Sequence, residues 1–177
     1  MSHTRRQFGP SAGTGGILAL AGLLMLVGCD RHSEDQARAM MGGWFDLGET
    51  LYFESQRGCT AAVFRVKSND VKSRVPLFDS AEAIAAGGQQ NEAFALSVRG
   101  KTADVLFIDL MNADRPIGVA IQTIGLGARD CMSDQARNTF FAALNADPST
   151  VVFSWSKETF AVLDPVRGIA MMTSGGL

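Results

Sequence analysis

Three cysteines, Cys29, Cys59 and Cys131, carry the most versatile chemistry in this chain. A thiol can ligate a metal, attack as a nucleophile, pair into a disulfide or accept another group. Nucleophilic attack needs a base within reach, and beyond residue 28 the chain offers a single histidine, His32. That histidine lies in a polar stretch that reads as a tether, so a Ser-His-Asp or Cys-His arrangement has no candidate. No CxxC spacing occurs, which speaks against a zinc site and against a thioredoxin-like redox pair. The GxSxG elbow, P-loop, HExxH and GxGxxG motifs are missing too, and Gly125-Leu126-Gly127 lacks the third glycine of the last. Carboxylate chemistry has two candidate pairs, Asp104 with Asp109 and Asp130 with Asp134. The first would sit on different faces of a helix. The second straddles a helix start, where acids are expected for capping. Asp109, Asn112 and Asp114 are too sparse for a calcium loop. The adjacent pairs Met40-Met41 and Met171-Met172 lack copper-site spacing and read as core. No metal and no cofactor is expected.

Cys29 has a setting of its own. Arg5 and Arg6 lie in an acid-free start, residues 17–28 (ILALAGLLMLVG) form an apolar run, and Asp30-Arg31-His32-Ser33-Glu34-Asp35 follow the cysteine. A basic flank, a short apolar run and a small-residue boundary mark a secretory signal. The run is shorter than the ~20 residues a membrane-spanning helix needs. Leu26-Val27-Gly28-Cys29 resembles the lipobox of bacterial lipoproteins. The resemblance implies that residues 1–28 are a signal peptide cut before Cys29, and that Cys29 carries diacylglycerol and an acylated N-terminus. It covers only residues 1–30. Asp30 resembles the inner-membrane retention signal of enteric bacteria, so the inner membrane is expected rather than the outer. Thr4-Arg5-Arg6-Gln7-Phe8 is also similar to a twin-arginine export motif, though Gly9 and Pro10 depart from it. Several acyl chains on one protein would hold it on the bilayer essentially permanently.

With Cys29 consumed by lipid, Cys59 and Cys131 remain, an even number in an oxidising compartment, and are expected to pair. Losing Arg5 and Arg6 takes the formal net charge from −2 to −4. The small basic group Arg65, Lys67, Lys72 and Arg74 reads as a solvated loop and strand end, so no nucleic-acid partner is expected.

The rest of the chain must supply the scaffold. With 46% hydrophobic and 19% charged residues it has the composition of one globular domain. Residues 29–42 read as the lipidated tether and a short helix capped at Ser33, and residues 43–177 as a single α+β periplasmic domain. Residues 44–55 and 59–67 alternate as strands of a hairpin. Residues 68–76 read as a loop, and helices are expected from Asp79-Ser80, Thr102, Asp114 and Ser133. Residues 92–99 fit a strand and a helix equally well, and the apolar run after Thr102 could also be a buried strand. Gly118, Ala120 and Gly125 would allow close helix packing. Val151–Thr173 reads as a β-meander. The expected fold is therefore α+β, an antiparallel sheet of N- and C-terminal strands packed on one side by a central helical segment.

Trp44, Phe45, Tyr52, Phe53 and Trp155 are the candidate ligand or partner face, an apolar groove on that sheet. The expected role is that of a membrane-anchored interaction or assembly protein of the cell envelope. Its partners would be the bilayer, through acylated Cys29, and an unidentified envelope protein. A module for lipid or another small apolar ligand is the first alternative, and an enzyme with a dispersed carboxylate site the second.

Overall fold

The computed structural model describes residues 32–175. The signal peptide, the lipobox with Cys29, Asp30 and the twin-arginine pair lie outside the described residues.

The chain opens with α1 (Glu34–Gly42), fixed by a capping box in which Ser33 Oγ accepts from Gln36 N and Gln36 Oε1 accepts from Ser33 N. Strands β1 (Leu47–Gln56) and β2 (Cys59–Val66) form the expected antiparallel hairpin around Arg57-Gly58. Gly58 takes the left-handed conformation, φ 86°, that the tight reversal requires. Then follow β3 (Leu77–Phe78), α2 (Ala81–Gly87), a 3₁₀ turn (Gly88–Gln90), β4 (Phe94–Leu96), α3 (Ala103–Ala113), α4 (Arg115–Gly127) and a second 3₁₀ turn (Ala128–Cys131). Helix α5 (Asp134–Leu144) and the meander β5 (Thr150–Ser154), β6 (Thr159–Asp164) and β7 (Ile169–Ser174) complete the fold.

The architecture is α+β, with a seven-stranded sheet in the order β1-β2-β7-β6-β5-β4-β3. Every neighbouring pair is antiparallel except β3 and β4. The N-terminal hairpin thus closes onto the last strand of the chain. The ambiguous segment 92–99 provides β4, and the apolar run after Thr102 is helical, with Thr102 Oγ1 accepting from Val105 N. Ser80, Asp114 and Ser133 likewise cap α2, α4 and α5.

One expectation needs correcting. The sheet is covered on both faces, not on one. Helices α2–α5 cover the face formed by Ala61, Val63, Phe94, Leu96, Phe153, Val162 and Met171. Helix α1, which the sequence suggests is the end of a tether, covers the other face. Its Ala37 and Met41 are fully buried with Trp44 and Phe45 against Ala62, Phe64, Leu163 and Met172. The physical reason is plain in β2, where Cys59–Phe64 are all buried. A strand covered on one face alone alternates between core and solvent.

Candidate ligand-binding cleft

The cleft is built by the helical layer over one end of the sheet. Helix α5 carries Arg137, Phe140, Phe141 and Leu144 at helical spacing, so the four form one stripe. That stripe faces Phe107 of α3 and Ile121 and Gly125 of α4, with Met132 closing one end and Phe160 of β6 as the floor. The enclosed space is about 270 Å³ and mostly apolar. The polar residues among its lining are Asp104, Gln122, Arg129 and Arg137.

The wall bearing Arg129 and Met132 has few hydrogen-bonded turns of its own and is held from outside. Cys59 and Cys131 pair as expected, with Cα atoms 6.1 Å apart, tying the start of β2 to the second 3₁₀ turn. The Tyr52 hydroxyl donates to the Cys131 carbonyl at 2.6 Å and accepts from Ser133 N at 3.0 Å. A side chain expected on a ligand face is therefore a clamp. Tyr52→Phe should destabilise the protein by about 1.5 kcal/mol, since a buried carbonyl and a helix-start N–H both lose their partner. Urea denaturation of the two proteins checks this, and an unchanged midpoint would mean that the clamp carries nothing.

Arg137 is the unusual member of the stripe. Its Nη1 lies 3.5 Å from Asp134, an acid whose side chain is 95% exposed. Its Nη2 approaches the Met132 carbonyl at 3.4 Å and the Arg129 carbonyl at 3.5 Å, while its Nε is buried without a hydrogen-bond partner. An unpaired buried donor costs free energy that an incoming acceptor would recover. In the sequence, Ala136, Phe140, Ala143 and Leu144 read as a core stripe, and that reading passes over Arg137. The available signal is an arginine three and seven residues before Phe140 and Leu144.

The five aromatics expected on one face are divided by the structure. Trp44, Phe45 and Phe53 pack on the α1 side, Tyr52 and Trp155 on the side of α2–α5. Trp155 stacks edge-on to Phe153 at 5.1 Å. A second hollow of about 250 Å³ lies beside Trp44 and is lined by Arg74, Glu92 and Lys157. Its charges serve one another. Lys157 Nζ sits 2.7 Å from Glu92 and 6.0 Å from the Trp44 ring centre. The Lys157 hydrogen bond and charge hold the Glu92 carboxyl below the usual carboxylate range.

Comparison with protein-family models, curated proteins and solved structures gives no match. The site must be judged on its own chemistry. Among the described residues no group of three or more His, Cys, Asp or Glu side chains is placed to hold a metal ion. Of the carboxylate pairs, Asp109 is engaged by Lys101 at 2.6 Å and Asp134 by Arg137, while Asp104 stands at the cleft. Met41, Met171 and Met172 are core residues, and Met40 Sδ accepts from Thr159 Oγ1. What the arrangement can do is enclose an apolar group and meet an acceptor at its mouth.

Proposed function

We propose that this protein is a lipid-anchored binding protein of the bacterial envelope, held on the outer face of the inner membrane by acylated Cys29, with an apolar ligand in the cleft between α3, α4 and α5. The cleft carries the second half of this proposal. It is mostly apolar, and it is framed by a turn that a disulfide and Tyr52 hold in place. The lipobox resemblance carries the first half. His32 Nε2 lies 3.1 Å from Ser174 Oγ at the end of β7, so the folded body begins three residues after Cys29. Even fully extended, those residues span no more than about 10 Å. The body would therefore rest at the membrane surface.

Docking of an envelope protein is the second reading, and one observation favours it. Val105, Ile108, Val119 and Phe141, on the same helical layer, are 40–49% exposed. Exposed apolar residues that form a contiguous patch mark interaction surfaces, and these four lie on neighbouring helices α3, α4 and α5.

Two measurements test the proposal. Replacing residues 1–29 by a secretory signal that is cut without lipidation should move the protein from the membrane fraction to the soluble periplasmic fraction, and retention in the membrane would remove the anchor. The native mass spectrum of that released form should show an adduct that mild organic extraction removes. A bare mass from freshly lysed cells would count against a resident ligand and favour the docking reading.

A further inference from the structure

The chemistry of the cleft narrows the class of its ligand, an inference that rests on the cleft being the binding site. The first constraint is size. At about 270 Å³ the cleft is under twice the ~150 Å³ engineered cavity that holds benzene. It therefore accommodates about ten carbon atoms. Inside the cleft that is one medium acyl chain, and a second chain would lie outside it.

The second constraint is polarity. Walls of Phe107, Ile121, Phe140 and Leu144 offer no partners for a sugar or a nucleotide, whose polar groups would be stranded there. The third is charge. Two arginines and one carboxylate, Asp104, are among the lining residues. No carboxylate of the described residues lies within ion-pair distance of Arg129. Arg137 has only the exposed Asp134 at 3.5 Å and a buried Nε with nothing to bond. A guanidinium presents a planar fork of donors that matches a carboxylate.

The fourth constraint is position. Phe160, the cleft floor, is paired with Thr173 across β6 and β7, and Thr173 adjoins Ser174, which holds His32. The cleft thus stands at the same sheet end as His32, on the opposite face of the sheet.

We propose that the cleft binds a single-chain carboxylate amphiphile, a medium-chain fatty acid, with the chain against Phe140 and Phe160 and the carboxylate on Arg129 and Arg137. Its source is the bilayer leaflet on which the protein sits.

The test uses the mature chain without its lipid, residues 30–177 exported behind that secretory signal, with decanoate and decanol as calorimetric probes below their aggregation concentrations. Decanoate should bind at least tenfold more tightly than decanol. Arg129→Gln with Arg137→Gln should bring decanoate to the level of decanol and leave decanol unchanged. If the double variant does not fold, Arg129→Gln alone decides, because that side chain is exposed, and it should weaken decanoate at least threefold. Gly125→Leu should abolish binding of both probes. Gly125 lines the cleft, and a Cβ there meets no atom within 4 Å, so the substitution begins in open space. Equal binding of the two probes, blocked by Gly125→Leu, would overturn the carboxylate assignment and leave the cleft standing. Binding of neither probe, or binding indifferent to Gly125→Leu, would overturn both.

Discussion

Replacing Cys59 and Cys131 together by alanine lowers the stability of the folded protein by about 4 kcal/mol. The sulfurs are 72 residues apart in sequence, and the bond closes a loop containing β2, β3, β4 and helices α2–α4. In the unfolded chain a loop of that size forfeits much conformational freedom, which is the origin of the figure. Both cysteines are buried, so their removal also leaves small voids beside Ala61 and Ala128. Tyr52 would still hold the Cys131 carbonyl, so the second 3₁₀ turn keeps its tie to β1. Guanidinium denaturation of the double variant, and of the wild-type protein with and without reductant, gives the measurement. A loss below about 1 kcal/mol in both comparisons would mean that the ends of the loop already meet in the unfolded ensemble.

Two glycines in one helix should respond with opposite signs to the same substitution. Gly118 of α4 lies against α3, and a Cβ placed there would stand 2.6 Å from Met111 Cβ and closer still to Met111 Cα. Neither atom belongs to the free end of a flexible side chain, so α3 and α4 must move apart. Overpacking of this kind costs about 1–3 kcal/mol, and the better helix propensity of alanine returns about 1 kcal/mol of it. Gly118→Ala should therefore lose about 1 kcal/mol. At Gly125 nothing opposes the methyl group, and Gly125→Ala should gain about 1 kcal/mol. Thermal melts of the two variants read the difference directly. Equal shifts would show that α3 and α4 are not packed through Gly118.

Features encoded within a few residues are legible in the sequence alone. Ser33, Ser80, Thr102, Asp114 and Ser133 each announce a helix, because a cap is a local hydrogen bond. The hairpin at Gly58 and the meander from Val151 are equally local. Gly118 is the point of close approach that its sequence setting suggests, whereas Gly125 borders empty space. Segment 92–99 is ambiguous because β4 is buried on both faces, which erases the alternation that identifies a strand. The two-residue β3 carries no periodicity at all. Nor does any local pattern say which partner a helix packs against, so the short helix capped at Ser33 is legible but its place on the sheet is not. The cleft escapes for the same reason. Arg129 and Arg137 come together with Phe107 and Phe160 only through tertiary packing, whereas the five aromatics grouped by type are parted by strand parity and by the coverage of both faces.

The two borders of the sheet behave differently from its interior. One border is β3, only two residues long. The other is β1, whose register against β2 shifts twice between Leu47 and Tyr52 and whose rim carries Glu49 and Glu54. A long, regular border would offer unpaired amides and carbonyls as a template for a neighbouring molecule. On the proposed membrane anchor the protein would diffuse in two dimensions and meet its neighbours far more often than a free one at the same copy number. An interrupted, acidic border on one side and a truncated one on the other deny such neighbours a strand to copy. The molecule can therefore be crowded on a surface without polymerising edge to edge.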